Sequence, residues 1–304
     1  MKTDTQIHNE LSIQSHLLRA LSEEESAALK NDLLSMFIGF SSICERYDLT
    51  YLLGGGSCLG AIRHQGFIPW DDDLDIMMPR PDYEQFIELC NNGILGEKYT
   101  AESPQRDTDC MTPYLKIFHN GTLNVELINE STPFHKGVFL DIFPIDNVSA
   151  NPLRRFLHGI ISDILQFIST CVLYAQYPSQ KYLEFMNSSS SSYARYKMRL
   201  FIGKLFGIIP HRRWLYWFDK YNASVKHSGL MTIPTGRKHY AGEIQRQDVF
   251  FPTRYALFEG IRVHIPNDSD HYLKSLYGDY MTIPPIEKRE RHLVYQFKCN
   301  CSDE

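Results

Sequence analysis

Residues 52–77 read LLGGGSCLGAIRHQGFIPWDDDLDIM, a glycine turn and a serine upstream of a row of aspartates. Gly54, Gly55 and Gly56 allow positive φ and a close approach of backbone to ligand. A helix starting near Ser57 would aim its free N–H groups and positive dipole end at an anion. Ser57 is then expected as the N-cap, as a phosphate ligand, or as both. The Walker pattern is excluded, because no Lys-Ser/Thr pair follows the last glycine.

The aspartates supply the second half of the chemistry. Read as a strand from Asp71 to Ile76, the segment puts Asp71, Asp73 and Asp75 on one face and Asp72, Leu74 and Ile76 on the other. Such a row of hard oxygens suits Mg²⁺, which takes one or two carboxylates plus substrate phosphates. Like charges on one face repel unless a cation offsets them. The alternative is a solvated acidic loop. A second apolar run, GVFLDIFPID at 137–146, carries Asp141 between Leu140 and Ile142. A carboxylate in a buried strand is costly unless it is paired or ligates metal. Asp141 beside Asp73 and Asp75 would complete a three-carboxylate site for two-metal phosphoryl transfer. Its alternative is a loop aspartate capping the turn at Pro144. Asp146, beyond that proline, reads as a turn or capping residue.

Taken together, GGGSCLGAIRHQGFIPWDDDLDI, GVFLDIFPID and LYGDYMTIPP followed by KRERH resemble the LicD family of the nucleotidyltransferase superfamily. That family includes bacterial phosphocholine transferases and fukutin-related enzymes. The resemblance runs from about residue 33 to 292. It implies transfer of a phospho-substituent from a CDP-activated donor, CDP-choline being the best known, with release of CMP. The implied acceptor is a sugar hydroxyl on a glycan or lipid-linked glycan, such as a teichoic acid or lipopolysaccharide. Residue by residue, it implies metal binding by Asp71, Asp73, Asp75 and Asp141, with Asp73, Asp75 and Asp141 catalytic. It implies one or two Mg²⁺, or Mn²⁺. Gly55, Gly56 and Ser57 fall on the donor-phosphate turn, Arg63 on a basic position downstream, and Arg289 and His292 on a C-terminal basic pair. The zinc element of some fukutin-like members is not evident.

Other residues carry two readings each. Lys116, in an apolar run, is a phosphate candidate. Lys288, Arg289, Arg291 and His292 could grip a pyrophosphate or form a solvated helix start beside Glu287 and Glu290. Trp70 could stack on a base or a choline cation, or pack at a strand edge. Two rival functions share the motif. One is a nucleotidyltransferase leaving a nucleoside monophosphate on a small molecule. The other is a non-catalytic glycan- or nucleotide-binding protein.

Composition narrows the field. The 304 residues are 43% hydrophobic, enough for a sizeable core. A formal charge of −5 argues against nucleic acid as partner. Seven cysteines without framework spacing suit a reducing, cytoplasmic setting. The N-terminus lacks a signal-peptide core, and no run of 18 uncharged apolar residues predicts a transmembrane helix. Residues 156–174 and 199–218 are apolar enough either to pack on the domain or to rest on the inner face of a membrane.

The elements that must position these residues follow from periodicity and caps. The expected class is α+β: a nucleotidyltransferase-like small mixed sheet packed with helices, plus a mostly helical insertion. A helix is predicted over 23–47, with Leu29, Leu33, Leu34, Phe37, Ile38 and Ile43 near one face. Another starts at Pro81 with Asp82 in its first turn. Strands are predicted at 114–118, 122–126 and 138–142, a hairpin turning at Glu259-Gly260, and a helix over 268–277 ended by Gly278. The serine run 188–192 reads as a flexible connection, and Pro210 as a helix break. Three parts result: a catalytic core at 1–150, a helical acceptor- or membrane-facing insertion at 151–230, and a part completing the site at 231–304.

Overall fold

The computed structural model describes residues 15–106, 110–286, 289 and 293–299. Helix α1, Glu23–Arg46, begins with a capping box in which the Ser22 side chain accepts from Glu25 N–H and Glu25 returns a bond to the Ser22 backbone. Its inward face is Leu29, Leu33, Met36, Phe37, Phe40 and Cys44. Ile38, expected inside, is 45% exposed, because Met36 and Phe40 hold the core-facing row instead.

Strand β1, Leu52–Leu53, leads into helix α2, Gly55–Arg63, followed by β2, Asp75–Pro79, and α3, Arg80–Asn91. Next come β3, Tyr99–Glu102, β4, Leu115–His119, β5, Leu123–Val125, and β6, Phe139–Asn147. The main sheet runs β1-β2-β6-β4-β3. The β2–β6 pair is parallel, while β1–β2, β6–β4 and β4–β3 are antiparallel. This mixed sheet with its covering helices is the α+β class read from the sequence.

β6 continues straight through Pro144, which corrects the reading of Asp146 as a turn residue. The register explains the tolerance. On one edge of β6 the β4 ladder stops at Ile142, and β7, Leu230–Thr232, pairs from Asp146. The missing proline N–H falls in that gap.

Four helices follow: α4, Pro152–Gln176, α5, Gln180–Asn187, α6, Ser190–Phe206, and α7, His211–Ala223. The serine run is mostly the start of α6 rather than a loose linker. Pro210 caps α7, ending the helical stretch before it as expected. α4 and α6 touch closely at Gly203, where an added Cβ would lie 1.9 Å from the Cys171 carbonyl oxygen. By length and composition alone α4 is long and apolar enough to cross a membrane, and 39% of that stretch is buried in the protein.

The chain then returns to the core. β8, Gln245–Arg246, pairs with β7. β9, Arg254–Phe258, and β10, Ile261–Ile265, form the expected hairpin around Glu259-Gly260. Helix α8, Ser269–Tyr277, starts at the Asp268 N-cap and ends at Gly278, whose φ of 69° suits glycine. β11, Gln296–Lys298, pairs with β5.

An ion triad locks the helical part to the sheet. Arg80, first in α3, donates to Asp146 of β6 from Nε and Nη2, both at 2.7 Å, and to Asp219 of α7 from Nη1 at 2.6 Å. All three side chains are buried.

Candidate active site

The glycine turn works differently from the sequence expectation. The N-cap of α2 is Gly54, not Ser57, and among the three glycines Gly55 has the positive φ, 42°. Ser57 lies in the first turn, where its Oγ accepts a 2.8 Å bond from Asp75 N–H and pins α2 to β2. The N–H of Gly55 donates to Tyr272 Oη of α8 at 3.1 Å. Cys58 is the first residue to bond back into the turn, to Gly54 O at 2.8 Å. The amides of Gly56 and Ser57 therefore sit outside the helical ladder, at the positive end of the dipole.

The glycines are needed because carboxylates crowd that end. A Cβ on Gly55 would lie 2.8 Å from Asp75 Oδ2, and one on Gly56 would lie 2.7 Å from Asp71 Oδ2. The helix start is thus already faced by two carboxylates. β2 begins at Asp75, so Asp71 and Asp73 belong to the irregular segment before the strand, which corrects the expected strand from Asp71.

Across the sheet, Asp75 is the register partner of Asp141 in the parallel β2–β6 pair. Asp141 is in turn the register partner of Lys116 in the β6–β4 pair, and Lys116 Nζ lies 2.8 Å from Asp141 Oδ1. The three residues form a row across adjacent strands. Burial pushes the Asp141 carboxyl up to about 6; Lys116 opposes that shift and the negative charge of Asp73 adds to it. Lys116 also stands 3.3 Å over the Phe139 ring. Tyr114 Oη approaches Asp141 Oδ2 at 3.5 Å.

The structure brings Gly55, Gly56, Ser57, Asp71, Asp73, Asp75, Asp141 and Lys116 to one end of the sheet. The basic candidates are engaged elsewhere. Arg63 closes the far end of α2, donating to Tyr280 O at 2.6 Å and to His64 Nε2 at 2.9 Å. Arg289 donates to Pro284 O at 3.1 Å. Both guanidiniums stack on Trp70, at 5.9 Å and 4.2 Å from the ring centre. Trp70 therefore packs against the chain's own cations. Lys288, Arg291 and His292 lie outside the described residues.

Three residues at the site escaped the sequence reading. Tyr272 and Tyr277 of α8 flank the helix start, and Tyr277 is raised well above the usual tyrosine range by burial and by the charges of Asp75, Asp71 and Asp73. The signal was present in the LYGDY segment. Lys30 of α1 donates to Ile68 O and Pro69 O, and its charge is favoured by Asp71 and Asp72 although burial lowers its pKa.

The donor set suits a hard divalent cation, since carboxylates concentrate where the helix-start amides lie. Burial and the neighbouring charge of Asp73 disfavour the ionised Asp141, a cost that a cation would lower. Among the described residues, no group of three or more His, Cys, Asp or Glu side chains is already gathered around one point. The chemistry of the ligands fits, and the coordination shell is not assembled.

Known proteins share this arrangement of sequence. Residues 48–150 match the model described as LicD/FKTN/FKRP, nucleotidyltransferase domain. Over 266 residues, 84% of this chain and 91% of the relative, the sequence is 28% identical to the lipopolysaccharide cholinephosphotransferase LicD of Haemophilus influenzae. Uncharacterized proteins of Rickettsia typhi and Rickettsia prowazekii match over 42 and 35 residues, at 45% and 51% identity. The matched domain contains the glycine helix, the aspartates, Lys116 and Asp141. Over residues 48–150 the chain thus resembles the LicD/FKTN/FKRP nucleotidyltransferase domain, and over most of its length it is similar to a LicD protein.

Proposed function

We propose that the protein is a phosphotransferase that moves phosphocholine from CDP-choline to a sugar hydroxyl of a cell-surface or lipid-linked glycan. The observation that carries this reading is the row Asp75, Asp141 and Lys116 beside the glycine start of α2. Similarity to a cholinephosphotransferase supports the choice of head group and acceptor class.

In this reading the amides of Gly56 and Ser57 bind the donor phosphate. Asp71, Asp73 and Asp75, with Asp141, would hold Mg²⁺, which supplies charge compensation for the pyrophosphate when bound. The acceptor oxygen attacks the choline-bearing phosphorus, and the bond from that phosphorus to the CMP oxygen breaks. Asp141 accepts the hydroxyl proton. Burial raises the Asp141 carboxyl, which favours it among the carboxylates as the base. Lys116 holds the orientation of Asp141. The free, buried cysteines support a cytoplasmic location.

The test is ³¹P NMR of purified protein with Mg²⁺ and a panel of CDP-linked donors, with EDTA and Asp73→Ala as controls. Metal-dependent CMP release from CDP-choline, lost in Asp73→Ala, is the expected result. Full activity of Asp73→Ala would sink the site assignment. Pyrophosphate release from nucleoside triphosphates, with no CMP from any CDP donor, would put nucleotidyl transfer in its place.

A further inference from the structure

The first two thirds of helix α4 are packed inside out. Its solvent-facing stripe is Leu153, Phe156, Leu157, Ile160, Ile164 and Phe167, between 37% and 66% exposed. These fall at helical spacing along one face. Its buried side carries His158, Gly159, Ser162 and Ser169, and only its last turns bury apolar groups, Cys171, Val172, Leu173 and Tyr174. Helix α6 repeats the inversion. Met198, Phe201 and Leu205 are 50%, 70% and 62% exposed, while Ser192, Tyr196 and Gly203 are buried. Ile208, just beyond α6, is 93% exposed. Two neighbouring helices with apolar residues outward expose far more than scattered surface leucines would.

The charge of this part is equally lopsided. Between residues 152 and 223 there are ten Lys and Arg against three Asp and Glu, a formal +7 in a chain that totals −5. Arg154, Lys197, Lys204, Arg213 and Lys220 are exposed. Basic and apolar groups interleave: the Arg199 guanidinium lies 5.7 Å from the Phe167 ring. Tyr216 and Trp217 of α7 add half-exposed aromatics of the kind that settle at a lipid–water boundary.

We propose that the outer faces of α4 and α6 form a docking surface for an anionic phospholipid bilayer. A soluble partner would need an acidic groove lined with apolar side chains. A bilayer of anionic headgroups over acyl chains offers both complements at once. The helices lie on the membrane rather than across it, because the polar side of α4 packs against α7 and the one-turn helix at His239–Gly242, with Gly159 against the Tyr240 ring. The proposal goes beyond the reaction and does not depend on it.

Sedimentation of the full chain with sucrose-loaded vesicles tests it, comparing phosphatidylcholine alone with phosphatidylcholine containing 30 mol% phosphatidylglycerol (about that fraction suffices to give a negative surface). Binding to the anionic vesicles, weakened by salt, is expected. Phe156→Glu with Phe201→Glu should lower apparent affinity about tenfold or more, and Lys197→Glu with Lys204→Glu about as much. Both pairs are exposed, so far-UV circular dichroism melting and CMP release should stay at the wild-type level. No binding to anionic vesicles, or binding untouched by both pairs of substitutions, would overturn the proposal. So would a dimer by light scattering that Phe201→Glu dissociates while vesicles are ignored, since the face would then belong to a second copy.

Discussion

Asp75 and Asp141 stand opposite each other in the parallel β2–β6 pair, one strand apart, and Lys116 answers Asp141 from the next strand. Lys116 and Asp141 are both buried. Asp141→Asn leaves Lys116 as a buried charge without its partner. Stability should fall by about 3 kcal/mol, and turnover by about 10²-fold or more with loss of the base. Adding Lys116→Met should restore much of the stability and none of the turnover. Urea denaturation and donor cleavage, read on both variants, check the split.

The glycines at the helix start separate two effects. Gly55→Ala must hold φ near 42° and place a methyl 2.8 Å from Asp75 Oδ2. It should cost about 1 kcal/mol or more. Gly56→Ala has ordinary backbone angles but displaces Asp71 Oδ2. Improved helix propensity should keep its stability within about 1 kcal/mol of wild type, while misplacing a carboxylate lowers turnover by up to about 10²-fold. Thermal melts beside initial rates distinguish the pair.

Arg80 satisfies two buried carboxylates at once. Arg80→Met would strand Asp146 and leave Asp219 to its 2.9 Å bond from Gln105, and should cost about 3–5 kcal/mol. The triple variant with Asp146→Asn and Asp219→Asn should recover part of that loss. Denaturant midpoints on the three proteins measure it.

His211 supplies a pH dependence remote from the chemistry. Burial pushes its imidazole down to about 4, against about 6.5 in an unfolded chain. The unfolded chain binds the proton first as pH falls, so this contribution is complete above 6.5 and is lost between 6.5 and 4. The loss amounts to about 3 kcal/mol. His211→Phe should flatten the slope of stability against pH across that window. Equal slopes in both proteins would refute the assignment.

Local signals were legible in the sequence wherever cap and periodicity agreed. The apolar spacing from Leu29 to Ile43 gave α1, Glu259-Gly260 the β9–β10 turn, and Gly278 the end of α8. The aspartates and Asp141 were readable because charge inside apolar runs is rare. What stayed hidden depends on distant partners. Arg80 lies 66 residues from Asp146 and 139 from Asp219. Gly55 lies 217 residues from Tyr272, so its lost amide could not be foreseen. Pro144 passed for a strand end because only the register shows that its missing donor is unneeded. The apolar stripe of α4 was legible but its direction was not, since periodicity identifies a face without saying where it points.

One strand, β6, carries Asp141 toward the candidate site and Asp146 toward the Arg80 triad, five positions apart. Both side chains are fixed by neighbours that tolerate little change in charge. A lineage that alters position 219 must also alter position 80 or 146, and position 146 shares its backbone with position 141. Catalytic strand and helical appendage are therefore expected to be inherited as one block, and a chimera that joins them from two relatives should fail unless the triad is carried over whole.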